Sequence, residues 1–248
     1  ACWDMHGFNR LGGNSVAETV VAGMIVGEFI ADFCESPAGE IDIPTALVRE
    51  AITVERAKLD ELLKGSGPER ADALKMEMQQ IMTDRVGIFR SGADLEEAVH
   101  RLQGLLVRSR RIGLRHKVDG PNPELVTAYR TQKMLKVALC VASGALARTE
   151  SRGAHFREDF PRRDDTTWLK RTLATWRDPS DTLPSLAYEP LDVMTMELPP
   201  GWRGYGAKNY VDHPDTAVRA AEVVKLREGL ASADRHAVQA ALMPYEHL

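Results

Sequence analysis

The residues best placed to do chemistry stand near the start of the chain. His6-Gly7-Phe8-Asn9-Arg10-Leu11-Gly12-Gly13-Asn14-Ser15-Val16-Ala17-Glu18 presents one arginine in a loop and then enters a helix through two glycines and a serine. Ser15 and Glu18 have the Ser-x-x-Glu spacing of a capping box, which predicts Ser15 as the cap, with the first backbone N–H groups pointing out of the helix start. Those donors and the positive end of the helix dipole favour an anion: a phosphate, a carboxylate or a reduced anionic ring. Gly12 and Gly13 let a ligand approach the main chain, and Arg10 supplies a planar fork suited to a carboxylate. His6 has three readings: contact with substrate, orientation of Arg10, or a satisfied hydrogen bond within the loop. An ordinary glycine turn leading into a buried helix accounts for the same pattern, and the residues alone leave both readings open.

Two further charged segments stand out. Arg108, Arg110, Arg111, Arg115, His116 and Lys117 form a basic run without interleaved aromatics. A solvated helix end explains it, since cations are favoured there; docking of an acidic partner surface is the functional alternative. Between Ser151 and Asp165, Arg152, Arg157, Arg162 and Arg163 alternate with Glu158, Asp159, Asp164 and Asp165. Arginine forks pair with such carboxylates and hold a loop that has little regular structure, so structural ion pairing leads here.

The elements that position these groups are mainly helical. Apolar periodicity predicts a helix from Val16 to Cys34, in which Gly23 and Gly27 allow close approach of a neighbour, then a linker at residues 35–39 and a second helix from Pro44 to Lys64. A third helix runs from Pro68 to about Arg85, with Leu74, Met78, Ile81 and Met82 on one side and its methionines as core filler. Asp94 is the expected cap of a fourth helix carrying Leu95, Leu102, Leu105 and Leu106, and a fifth spans Glu124 to Thr149. Short connections make these antiparallel neighbours in a bundle. Beyond Arg152 the rhythm weakens: one or two short strands are expected within Leu186–Leu198, and late helices at Ala217–Glu228 and Asp234–Met243. The fold class is therefore mainly α, a bundle of three to four helices at 35–150 between an N-terminal element at 1–34 and a small α+β domain at 151–248.

Composition narrows the function classes. The 248 residues carry a net charge of −4, which gives no general pull toward nucleic acid. Glu18, Glu28 and Asp32 interrupt the longest apolar run and argue against a membrane span. Cys2, Cys34 and Cys140 are far apart and odd in number, without zinc or iron-sulfur spacing, so no metal site is expected.

The stretch His6 to Ser15 resembles the late flavin-domain motif of succinate dehydrogenase and fumarate reductase flavoprotein subunits, His-Gly-Ala-Asn-Arg-Leu-Gly-x-Asn-Ser-Leu, with Phe8 in place of alanine and Val16 in place of leucine. Ser151-Arg152-Gly153-Ala154-His155-Phe156-Arg157-Glu158-Asp159-Phe160-Pro161-Arg162-Arg163-Asp164-Asp165 resembles a C-terminal signature of the same subunits, in the correct order. The likeness runs from Ala1 to about Trp168, and Leu198-Pro199-Pro200-Gly201-Trp202 is similar to the methylmenaquinol-linked fumarate reductase branch.

The resemblance implies that Arg10, with His6, binds a carboxylate of the dicarboxylate substrate, and that Gly13, Asn14, Ser15 and Val16 line the FAD site near the pyrimidine edge. Residues 1–34 then close the flavin-binding domain. The Gly-x-Gly-x-x-Gly fingerprint, the flavin-linking histidine and the proton-donating arginine of the family have no counterpart in the sequence, so the chain reads as a C-terminal portion with no catalytic acid of its own. Implied partners are the rest of the flavoprotein, an iron-sulfur subunit and membrane anchor subunits, at the cytoplasmic face of the inner membrane. L-aspartate oxidase shares part of the first motif and is the alternative enzyme reading; a non-catalytic helical docking module is the alternative class.

Overall fold

The computed structural model describes residues 14–36, 43–118, 120–191, 215–231 and 234–242. Along them run α1 (Asn14–Glu35), α2 (Thr45–Lys64), α3 (Ala71–Arg85), α4 (Gly92–Ser109), α5 (Pro123–Ala147), α6 (Asp165–Trp168), β1 (Lys170–Thr175), β2 (Ser185–Pro190), α7 (Thr216–Leu230) and α8 (Arg235–Leu242). The fold is mainly helical with one small sheet, as the sequence predicts.

The chain divides into two compact units, one of residues 1–79 and 104–135, the other of residues 80–103 and 136–248. In the first, Leu74 and Met78 of α3, Leu105 and Leu106 of α4, and Leu125, Ala128 and Leu135 of α5 are buried, with Leu62 from the end of α2. These positions recur at the three- and four-residue steps that put them on one helix face. The chain between α2 and α3 runs beside 111–113: the Glu69 amide donates to the Arg111 carbonyl at 3.2 Å and the Gly113 amide to the Glu69 carbonyl at 3.0 Å. Glycine is required at this crossing, because a Cβ on Gly67 would stand 1.8 Å from the Arg111 carbonyl oxygen. That pairing is why α3 starts at Ala71 and not at Pro68. Asn122 caps α5, accepting from the Leu125 amide at 3.1 Å.

The first two helices keep little apolar surface covered. α1 carries the acids Glu18, Glu28, Asp32 and Glu35, and its Val20, Met24, Ile25, Phe29, Ile30 and Phe33 are all exposed. On α2 only Leu62 is buried, while Leu47, Val48 and Val54 are exposed. A helix this rich in apolar residues has the sequence of one largely enclosed by other elements.

In the second unit Ile81, Leu95, Ala98, Leu102, Leu139 and Ala142 form the core. The cap of α4 is Ser91, not Asp94. The Asp94 amide donates to Ser91 Oγ at 3.2 Å, and that hydroxyl donates back to Asp94 Oδ2 at 2.6 Å. Asp94, three residues after the cap, also takes the Arg85 guanidinium. β1 and β2 pair antiparallel from Lys170↔Pro190 to Thr175↔Ser185. The strand expected within 186–198 is β2; its partner β1 is missed by periodicity because its face is only half covered. α7 and α8 match the two late helices.

Leu74→Ala and Leu139→Ala are each expected to cost about 2–5 kcal/mol of unfolding free energy, whereas Leu47→Ala, at an exposed position, stays within about 0.5 kcal/mol. Denaturant titration of the three variants checks the assignment of the core.

Candidate functional site

Of the residues expected to bind ligand, His6, Arg10 and Gly13 lie outside the described residues, while Asn14, Ser15 and Val16 form the first turn of α1. The helix begins at Asn14, so Ser15 is its second residue and not the flanking cap. Its carbonyl accepts from the Thr19 hydroxyl at 2.6 Å. The first turn of any α-helix carries amides without intrahelical partners, and the dipole adds partial positive charge there. Beside these amides, the Val16 side chain is 70% exposed. An amide-rich tip with an open apolar side chain fits the edge of a flavin ring, which needs both donors and an apolar face.

The second signature folds as a buried ionic network at the end of α5. Arg157 is 2% exposed, and its Nη1 donates to the carbonyls of Ala145, Leu146 and Arg148 at 3.0, 3.0 and 3.3 Å. Nε and Nη2 meanwhile form a two-pronged pair with Asp159 at 2.7 and 2.6 Å. One guanidinium therefore satisfies the orphan carbonyls of a helix end and its own charge together. Glu150, fully buried, takes Arg152 through Nε at 2.8 Å and Nη2 at 3.0 Å, Arg148 Nη1 at 2.7 Å and the Asp164 amide at 2.9 Å. Asp165 takes Arg152 at 2.6 Å and Arg163 at 2.8 Å. Alternating arginines and acids thus pair structurally, as read from the sequence. The hub, however, is Glu150, together with Arg148, just upstream of the segment that the alternation singled out. The signal was present as Arg148-Thr149-Glu150-Ser151-Arg152, with both guanidiniums two residues from the carboxylate.

His155 joins two elements. Arg90 Nη1 meets His155 Nδ1 at 3.0 Å, and His155 Nε2 lies 3.2 Å from the Arg148 carbonyl. An arginine only donates and a carbonyl only accepts, so the ring is neutral with its proton on Nε2. Burial, followed by the charges of Arg90, Arg148 and Arg157, pushes its pKa down to about 4, against the pull of the Arg148 carbonyl. Arg90 also donates through Nε to the carbonyls of Val86 and Gly87, both at 3.0 Å. Gly153, at φ 57°, makes the turn that lets Arg152 and His155 exchange backbone bonds.

Arg148 anchors the hairpin, donating to the carbonyls of Trp168 at 3.0 Å and Lys170 at 2.6 Å. The buried Trp168 ring meets Tyr188 edge-on at 5.5 Å.

The basic run at 108–117 is largely neutralised within its own unit. Arg108 forks Glu69 at 3.0 and 3.1 Å and reaches Glu77 at 2.8 Å. Arg111 also meets Glu69, at 3.5 Å, and Arg115 and His116 meet Glu124 at 3.8 and 3.6 Å. Among the described residues no group of three or more His, Cys, Asp or Glu is placed to hold a metal, and no helix is long and apolar enough to cross a membrane.

The chain is similar to known proteins along nearly its whole length. The family profile described as "Fumarate reductase flavoprotein C-term" matches residues 75–205. The chain is 50% identical to a fumarate reductase flavoprotein subunit of Helicobacter pylori over 99% of its own length and 35% of that protein. It is 30% identical to the succinate dehydrogenase flavoprotein subunit of Bacillus subtilis over 83% of its length and 35% of the relative. Among solved structures it is similar to an Escherichia coli quinol fumarate reductase flavoprotein at TM-score 0.68 and 33% identity, covering 81% of this chain and 34% of that one. The chain spans about a third of the length of the curated relatives it matches.

Because the folded state holds His155 neutral to about pH 4 while the unfolded chain protonates near 6.5, stability is full above pH 6.5 and falls as the pH drops toward 4. The slope reaches at most about 1.4 kcal/mol per pH unit for one proton. Denaturation between pH 6.5 and 5, above the range in which unfolded carboxylates titrate, is expected to show this loss in the wild type and a smaller one in His155→Gln. Equal slopes contradict the buried neutral ring.

Proposed function

Since the chain belongs to the fumarate reductase and succinate dehydrogenase flavoprotein family, we propose that it forms the C-terminal third of an FAD-dependent flavoprotein subunit that interconverts succinate and fumarate and passes electrons to an iron-sulfur subunit. One observation carries this reading beyond membership. The described part of the anion loop is the first turn of α1, whose amides have no intrahelical carbonyl to pair with, beside an open Val16 side chain, on a helix whose Val20, Met24, Phe29 and Ile30 are exposed. Such a helix calls for a larger apolar body around it, and the remainder of a flavin domain is of that kind.

FAD supplies the hydride chemistry when bound. Gly13, Asn14, Ser15 and Val16 would hold its edge, and the positive end of α1 would favour negative charge on it. Arg10 grips one carboxylate of the dicarboxylate, and His6 assists. A loose encounter thereby becomes a positioned one. The proton donor comes from outside residues 1–248. The complex sits peripherally at the cytoplasmic face of the inner membrane, with anchor subunits carrying electrons to quinone. L-aspartate oxidase is not favoured, because the relatives reported above are fumarate reductase and succinate dehydrogenase subunits.

In a full-length subunit carrying this segment, Arg10→Gln is expected to lower fumarate turnover by about 10- to 100-fold, the worth of one lost charged hydrogen bond pair, with flavin absorbance retained. The isolated 248-residue chain is expected to purify without stoichiometric flavin. Unchanged turnover in the variant, or preferential oxidation of aspartate by the intact subunit, overturns the assignment.

A further inference from the structure

Three cations surround one imidazole where the α3–α4 connection meets the loop that closes α5. Arg90 comes from the connection, Arg148 from the end of α5 and Arg157 from the loop itself, and all three oppose a charge on His155. Arg148 and Arg157 have carboxylate partners in Glu150 and Asp159. Arg90 instead donates through Nε to the carbonyls of Val86 and Gly87, both at 3.0 Å, and through Nη1 to His155 Nδ1 at 3.0 Å. A guanidinium has only donors, so this last bond exists only while Nδ1 keeps its lone pair.

A proton on Nδ1 leaves two donors facing each other at hydrogen-bond distance, in a half-buried cluster where like charges are poorly screened. One partner must then leave. Arg90 is pinned by two carbonyls through Nε, whereas the ring has one other bond, between Nε2 and the Arg148 carbonyl at 3.2 Å. The ring is therefore the part that moves. Its backbone stays, because Arg152 and His155 exchange bonds at 2.8 and 2.9 Å.

Two backbone ties of the connection to the loop then differ in fate. The Gly92 amide donates to Asp159 Oδ2 at 3.1 Å, and the bond from Arg157 holds that carboxyl below the usual carboxylate range, so this tie outlasts the release of His155. The bond from the Glu158 amide to the Arg90 carbonyl, 2.8 Å long, belongs to the residue whose side chain has just lost its partner.

We propose that His155 is an acid-released latch: a proton bound at Nδ1 breaks the bond with Arg90, expels the ring, and lets the connection swing at its Arg90 end while Gly92 stays tied to Asp159 and the helices stay folded. The latch involves neither flavin nor dicarboxylate.

In a full-length subunit carrying this segment, hydrogen exchange at the imidazole carbon, read by mass spectrometry, is expected to give His155 a midpoint near 4. Arg90→Gln keeps a donor for Nδ1 and removes a charge, which moves that midpoint upward. Site-resolved amide exchange, corrected for its intrinsic pH dependence, is expected to show protection of the Glu158 amide falling about tenfold between about pH 7 and 5, as linkage to one proton allows. The amides of Gly92 and of the centre of α4 keep theirs. His155→Gln, whose side chain offers a donor and an acceptor but does not titrate, abolishes the fall. An equal fall in wild type and His155→Gln overturns the latch, and so does joint loss of protection at Glu158, Gly92 and α4, which is global unfolding. A wild-type midpoint at the ordinary histidine value, or one that Arg90→Gln leaves in place, overturns it without any need for the His155 variant to fold.

Discussion

One buried guanidinium closes the end of α5, and the second unit is arranged around it. Three carbonyls of the last turn converge on Arg157 Nη1, and Asp159 neutralises the charge from the other side. Without such a donor these carbonyls would be stranded away from water, at a cost comparable to several lost hydrogen bonds. The clamp also decides where the following chain goes. Ser151 Oγ donates to the Phe160 carbonyl at 2.8 Å and accepts from the Arg157 amide at 2.9 Å, so residues 151–160 fold back on themselves over the helix end. Buried ion pairs of this kind add little net stability, because desolvation offsets their attraction. What they secure is a single arrangement, since any other leaves a charge unpaired.

That arrangement fixes two neighbours. Through Arg148 it ties down the start of β1, and through His155 and the Arg90 backbone it ties down the connection that follows α3. A loop with few regular hydrogen bonds is thereby made as rigid as the helices it joins, and side chains beyond it project in fixed directions. The first unit works by a different rule. Its core is apolar and its surface charges are exposed pairs worth little individually, while α1 and α2 leave apolar surface open.

Much of this was legible in the residues. Helical periodicity located α1 to α5 within a few positions, because residues such as Leu95, Leu102, Leu105 and Leu106 of α4 recur at three-, four- and seven-residue steps that put them on one face. The family was legible as well, from two motifs in the right order. Less visible were features that depend on partners distant in sequence. Ser91 is the cap, and Asp94, its partner three residues on, is held as well by Arg85. β1 lacks apolar alternation, since Arg148 and Trp168 hold its first residue in place of a buried face. The importance of Glu150 follows from burial, which spacing alone does not reveal. The basic run read as a solvated helix end, and its glutamate partners lie as much as 42 residues away. His6, Arg10 and Gly13 lie outside the described residues, so the heart of the ligand site rests on sequence.

Amide hydrogen exchange of the native protein, comparing wild type with Arg157→Lys, tests the clamp most directly. A lysine keeps the charge but cannot bond three carbonyls and a carboxylate together. The account predicts that protection falls at the amides of Ser151, Arg157 and Glu158 while the amides at the centre of α4 keep theirs. Uniform protection across both sets of amides contradicts it.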